Sequence, residues 1–165
     1  MGMVEISDTE IALLLSGFFW PFCRIAGFIM VDPFFGTRTI PRQVRVATAI
    51  ALTIIIAPLL PAMPEAPVIS AEGLANIFYQ VIIGAAMGMV MRLVIAAVEM
   101  AGMLMSMQMG LGFAMFFDPQ FGAQVPALSR FLSTFVFLLF LAMDGHLVLI
   151  SALVDSFRIL PVGLE

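Results

Sequence analysis

Residues 74–110 read LANIFYQVIIGAAMGMVMRLVIAAVEMAGMLMSMQMG, an apolar run interrupted by two formal charges, Arg92 and Glu99. Lipid accepts only helices and closed barrels, because every backbone N–H and C=O must be satisfied internally. Nothing in the run alternates with a period of two over strand length, apart from methionines at every second position from Met103 to Met109. The run is therefore predicted as a helix. Three further apolar stretches, at 11–31, 46–60 and 131–154, are predicted as helices on the same grounds. The fold expected is all-α, with about four long, interrupted apolar helices and an apolar loop between the third and fourth.

The composition agrees. Of 165 residues, 62% are hydrophobic and 11% charged, with a mean hydropathy of +1.14. Soluble domains use about a quarter charged residues, so a water-soluble globule is excluded. Seven arginines against eleven acids give a net charge of −4, which offers no basic field for nucleic acid. Cys23 is the sole cysteine, so neither a disulfide framework nor a metal cluster is expected. Residues 1–10 carry Glu5, Asp8 and Glu10 without an arginine, unlike a secretory signal. Ile6 occupies the position where myristoylation wants Ser or Thr. The apolar runs are thus expected to be retained, and the length suits one compact unit.

Each helix is flawed as a membrane span, which needs about 20 apolar residues. The first contains Pro21 and Arg24, the second has 15 residues, the third has Arg92 and Glu99, and Asp144-Gly145-His146 splits the fourth. A charge at mid-bilayer costs about 2.5–3.5 kcal/mol even on lenient scales. Such features persist at depth where they bury against protein or line a polar cavity, so the chain is expected to complete itself within a larger assembly. Arg38, Arg42 and Arg45 flank the first loop, while the N-terminus and the proline-rich loop 61–67 carry only acids. The positive-inside tendency places the arginines on the cytoplasmic side.

Several residues invite functional readings. Nine of the fourteen methionines fall within 87–117. On a helix, Met103, Met105, Met107 and Met109 decorate two opposite sides, either as a deformable lining or as core filling. Residues 110–122, with Gly110, Gly112, Phe113, Met115, Phe116, Phe117, Asp118, Pro119, Phe121 and Gly122, combine loop punctuation with an apolar body. They suit a pore plug or a re-entrant packing segment. Gly84 and Gly88 mark close helix approach. Arg24, Arg92 and Glu99 are intramembrane charges by position: Arg24 or Arg92 could pair with Glu99, or Arg92 and Glu99 could face polar groups of a partner. Asp144 and His146 point apart on a regular helix, which favours capping over a proton relay, and His146 lacks a second ligand for metal. No catalytic motif is present; neither an enzyme nor a cofactor is indicated.

Trp20-Pro21-Phe22-Cys23-Arg24-Ile25, Asp32-Pro33-Phe34-Phe35-Gly36 and Ile40-Pro41-Arg42 resemble the N-terminal part of the FliR family of flagellar biosynthetic proteins. Gln108-Met109-Gly110-Leu111-Gly112-Phe113-Ala114, Phe117-Asp118-Pro119, Leu128-Ser129-Arg130-Phe131, Asp144-Gly145-His146 and Phe157-Arg158-Ile159-Leu160-Pro161 continue the likeness in order. The resemblance implies a core subunit of the flagellar type III export gate in the bacterial inner membrane, at the flagellar basal body. Its implied partners are FliP-like and FliQ-like membrane subunits, the large cytoplasmic gate subunit and unfolded export substrates. It also implies that residues 1–165 form one FliP-like helical unit, that a FliQ-like hairpin of the family is absent, and that residues 110–122 plug the closed channel beside a methionine constriction. A virulence-injectisome homologue shares this architecture. A small-solute secondary transporter fragment is the reading from a different class, since broken helices around Arg24, Arg92 and Asp144 could mimic a midplane site.

Overall fold

The computed structural model describes residues 8–36, 40–60, 70–110 and 127–162, with side chains from residue 17 onward. Five α-helices and no strand occur among them: α1 Asp8–Val31, α2 Arg42–Ile56, α3 Ala71–Gln108, α4 Ala127–Ala142 and α5 Gly145–Ile159. A 3-10 turn, Ala57–Leu59, extends α2. The fourth apolar run is thus two helices, bent by 70° at the break. Pro21 does not break α1, which runs through it; the missing N–H leaves the carbonyl of Gly17 without its helical donor. Arg38 and the proline-rich stretch 61–67 lie outside the described residues.

Among the described residues, two helices are long and apolar enough to cross a membrane. They are Arg42–Leu59, which counts the 3-10 extension, and Ala71–Gln108; α4 and α5 qualify only as a bent pair. At 1.5 Å per residue the 38 residues of α3 run about 57 Å. The hydrocarbon core is about 30 Å thick, so even at a steep tilt roughly a third of α3 extends past it.

Two compact units make up the chain, Met1–Met89 with Ile150–Glu165, and Val90–Leu149. In the first, Trp20, Ile25, Ile29, Ile56, Leu153 and Phe157 are buried. Here α1 and α3 touch backbone to backbone. A Cβ on Gly27 would lie 2.6 Å from the Val81 carbonyl oxygen, one on Gly88 would lie 2.7 Å from that of Phe28, and one on Gly84 would collide with that of Arg24. Glycine is required at these points because any side chain would wedge the helices apart.

The second unit is built differently. Its buried residues among those described are Gly102, Ser106 and Ser129. A Cβ on Gly102 would stand 2.6 Å from the Ser129 Cα, and the Ser129 hydroxyl donates to the Glu99 carbonyl at 2.8 Å. Large apolar side chains such as Met100, Leu104, Phe131, Phe135 and Leu138 remain exposed. Helices that meet through small residues and point their large ones outward follow the packing logic of lipid, where no hydrophobic force drives helices together.

The α1–α3 seam makes a paired prediction. Gly84→Ala is expected to destabilise the detergent-solubilised chain by about 1–3 kcal/mol through overpacking. Gly17→Ala, where a Cβ meets nothing within 4 Å, should be neutral or stabilising by up to about 1 kcal/mol. Thermal unfolding followed by circular dichroism separates them; equal shifts would mean that the seam is not closed at Gly84.

Candidate functional site

Arg24 lies on α1 with no exposed surface. Its Nε donates to Gln80 Oε1 on α3 at 2.7 Å. One terminal nitrogen donates to Ser156 Oγ on α5 at 3.1 Å and the other to the Leu160 carbonyl at 2.8 Å. The Phe157 ring lies 4.0 Å from Cζ, centroid to carbon, within cation–π range. In place of the Glu99 carboxylate that the sequence suggests, neutral oxygens and a π face hold the charge. The Ser156 hydroxyl donates to the Leu153 carbonyl at 2.6 Å, which leaves its lone pairs for the guanidinium. The Leu160 carbonyl follows α5, where the negative end of the helix dipole favours a cation.

The α3 side of this cluster is a stripe with a step of four: Asn76, Gln80, Gly84 and Gly88, all buried. Four residues is close to one helical turn, so all four share a face. Gly84 and Gly88 are read from the sequence as a packing pair. Gln80, Ser156 and Phe157 escape that reading, although the polar half of the stripe, Asn76 and Gln80, is visible as amides recurring at helical spacing in an apolar run. Both amides are only partly satisfied: Asn76 Oδ1 and Gln80 Nε2 have no partner among the described residues.

Asp32 closes α1. Its Oδ2 accepts the N–H groups of Phe34 and Phe35, each at 2.9 Å. Gly36 N–H donates to the Asp32 carbonyl at 2.7 Å, and a Cβ on Gly36 would strike that same oxygen. The motif Asp32-Pro33-Phe34-Phe35-Gly36 is therefore a side-chain-capped turn. Burial pushes the Asp32 carboxyl above its usual value, and the two N–H donors pull against that rise.

Of the charges singled out in the sequence, Arg24 is buried, while Arg92 and Glu99 on α3, and Asp144 and His146 at the α4–α5 break, are exposed. Asp144 has a φ of +55°, in the left-handed region that ends helices. Its N–H donates to the Leu141 carbonyl at 3.1 Å, and its own carbonyl accepts from Leu147 N–H at 2.9 Å. One residue thereby finishes α4 and opens α5. Gly145 follows because a Cβ there would run into the Phe140 ring. No group of three or more His, Cys, Asp or Glu able to hold a metal occurs among the described residues.

The methionine run stays helical to Gln108. Met103 and Met107 share one side and Met105 and Met109 another, all exposed. Gly110, at φ +74°, ends this segment, its N–H donating to the Met107 carbonyl at 3.1 Å. The rest of the loop singled out in the sequence, Gly112, Phe113, Met115, Phe116, Phe117, Asp118, Pro119, Phe121 and Gly122, lies outside the described residues.

The family described as bacterial export proteins, family 1, matches residues 15–165. The chain is 40% identical over 161 residues to a flagellar biosynthetic protein FliR of Pectobacterium carotovorum subsp. carotovorum, covering 98% of this chain and 61% of that relative. It is 39% identical over 163 residues to FliR of Escherichia coli (strain K12), covering 99% and 62%. FliR of Aquifex aeolicus (strain VF5) is 32% identical over 163 residues, covering 99% and 61%. The chain thus spans about three fifths of the length of these relatives.

Arg24→Met is expected to cost about 3 kcal/mol or more, since it strips a charged donor from two buried acceptors and a half-buried one at once. Arg24→Lys should recover less than half of that loss, because an ammonium is not a planar fork. Thermal unfolding in detergent and resistance to limited proteolysis report both. A lysine variant as stable as the parent would show that charge alone, without the fork, suffices.

Proposed function

We propose, because the chain belongs to the bacterial export proteins, family 1, that it serves as a core subunit of the flagellar protein export gate. It would help to form and seal the channel through which unfolded flagellar proteins cross the inner membrane. The observation that carries this reading is the family match across residues 15–165, joined by relatives named flagellar biosynthetic protein FliR at 39–40% identity. Two helices able to cross a membrane support it. The role is non-enzymatic: the chain supplies walls and a seal, and the driving energy comes from elsewhere in the apparatus. Residues 1–165 act as one FliP-like unit, beside FliP-like and FliQ-like subunits and the large cytoplasmic gate subunit.

Sealing is the physical task. An unfolded polypeptide presents glycine at one moment and tryptophan at the next, so a rigid aperture would either jam or leak. Methionine has three rotatable bonds and a polarizable sulfur, and it fits irregular outlines at low cost. Met103, Met105, Met107 and Met109, exposed at the end of α3, lead directly into residues 110–122. In this reading they approach the constriction, and the phenylalanine-rich loop with Phe113, Met115, Phe116 and Phe117 plugs it.

Two experiments in cells that assemble the gate test the proposal. The chain is expected to co-purify with FliP-like and FliQ-like subunits, and deletion of residues 110–122 should make the membrane leaky to small ions. Unchanged conductance in an assembled complex would remove the plug, and failure to co-purify would remove the gate assignment. Replacing Met105, Met107 and Met109 together with alanine should open gaps, raising leakage and lowering secretion of flagellar subunits. Wild-type levels of both would reduce those methionines to filler.

A further inference from the structure

On the N-terminal part of the α1–α3 seam, three buried polar atoms have no partner among the described residues: Trp20 Nε1, Asn76 Oδ1 and Gln80 Nε2. We propose that the three share one ordered water molecule, held between the two helices beside the Arg24 cluster. The register of the seam brings them together. Gly27 faces Val81, Gly84 faces Arg24 and Gly88 faces Phe28, so residue numbers rise together along α1 and α3 and the two helices run parallel. Arg24 Nε reaches Gln80 Oε1 at 2.7 Å. Trp20 stands four residues before Arg24, and Asn76 four before Gln80, each on the same face as the residue it precedes. That sets Trp20 and Asn76 at one level, a turn from the guanidinium. Ile77, next to Asn76, packs against the cluster of Trp20, Phe157 and Val162.

The three atoms are complementary to water and to little else. An indole N–H and an amide N–H only donate, and an amide oxygen only accepts. Arg24 fixes the sense of Gln80, because its Nε–H holds Oε1 and so turns the amide nitrogen away. Water offers lone pairs to the two donors and a hydrogen to the acceptor, and three bonds are usual for a buried water. A cation is repelled by the two N–H groups, and an anion by the amide oxygen. Larger occupants are shut out: Trp20 and Gln80 have no exposed surface and Asn76 has 5%, so neither a lipid headgroup nor another subunit's side chain can enter. None of the three bonds another, and a buried indole N–H ordinarily has a partner. The water extends the polar fastening of α1 to α3 by one turn, from the guanidinium to the indole.

Trp20 is the sole tryptophan, so its indole N–H gives a single signal in the isotope-labelled chain in lipid nanodiscs. The test is a pair of water-selected NMR spectra read at that signal, one by nuclear and one by rotating-frame Overhauser transfer. The expected result is a cross-peak to water with opposite sign in the two spectra, the mark of a bound molecule as against proton exchange. In Asn76→Leu, which nearly keeps the volume and removes the acceptor, the cross-peak should be lost. In Ser156→Ala it should persist, because the Ser156 hydroxyl serves Arg24 and has no part in the site. Three results would each overturn the proposal. The first is no water cross-peak in the parent chain, with transfer to the Asn76 side chain in its place. The second is a cross-peak that survives in folded Asn76→Leu. The third is its loss in Ser156→Ala, which would trace the signal to exchange through that hydroxyl. Should Asn76→Leu fail to fold, the parent and Ser156→Ala spectra decide between them.

Discussion

A guanidinium buried beyond the reach of water organises the first unit. Burying a charge is expensive unless hydrogen bonds replace its hydration, and Arg24 obtains them from one amide, one hydroxyl and one carbonyl. A hydrogen bond to a charged group is worth about 1.5–3 kcal/mol, so three of them compete with the cost of a charge within lipid, about 2.5–3.5 kcal/mol on lenient scales. Together they outweigh that cost, which is what lets the charge stay buried. Arginine suits the position better than lysine because its charge is delocalised, weakly hydrated and able to stack, as it does on Phe157. The glycine seam belongs to the same device. Gly84 lets α3 reach the backbone of α1 at Arg24 itself, and that approach sets Gln80, one turn away, within 2.7 Å of Nε.

The second unit lives by the opposite rule. Gly102, Ser106 and Ser129 are its buried residues among those described, and none of them contributes apolar area worth the name. In water such an arrangement could not offset the entropy of ordering its chain. In lipid it needs no hydrophobic core, because the tails are as apolar as leucine and close backbone contact is what remains to be gained. Its exposed Met, Leu and Phe side chains carry no cost where the surroundings are as apolar as they are.

The helices were legible because apolar runs and their punctuation are local. Asp32-Pro33 ends α1, Pro41 precedes α2, and Asp144-Gly145 divides the last run, each through backbone chemistry confined to a few residues. Gly84 and Gly88 were legible for the same reason. What escaped was non-local. Pro21 and Arg24 resemble breaks in a linear reading, yet α1 continues, because the groups that satisfy Arg24 lie 56, 132 and 136 residues away. Nothing around residue 24 announces Gln80, Ser156 or Leu160. Charge alone points to Glu99 as the partner, whereas the fold supplies neutral acceptors. Asn76 and Gln80 are the one local signal of it: they extend the Gly84–Gly88 stripe at the same spacing, and amides at that period in an apolar run mark a face turned from lipid.

Along α3 these two rules succeed one another. Through Gly88 the helix is fastened by an amide stripe and glycine contacts that tolerate almost no displacement, because hydrogen bonds weaken steeply with angle and a wedged glycine seam cannot close. Beyond Glu99 the helix meets α4 at Gly102, and its exposed surface is rich in methionine, whose packing is non-directional and forgiving. In the proposed gate the two properties answer different needs. A channel wall must hold its place while cargo passes, and directional bonds supply that. A seal must yield to each passing side chain and recover, which directional bonds would forbid. Placing the compliant surface at the end of a helix whose other end is tightly fastened lets one element serve both needs. A leucine lining would not do so equally well, since its branched, stiffer side chain keeps the shape of the aperture more nearly constant. The methionines are therefore informative for their flexibility more than for their hydrophobicity, which the surrounding valines and leucines already provide.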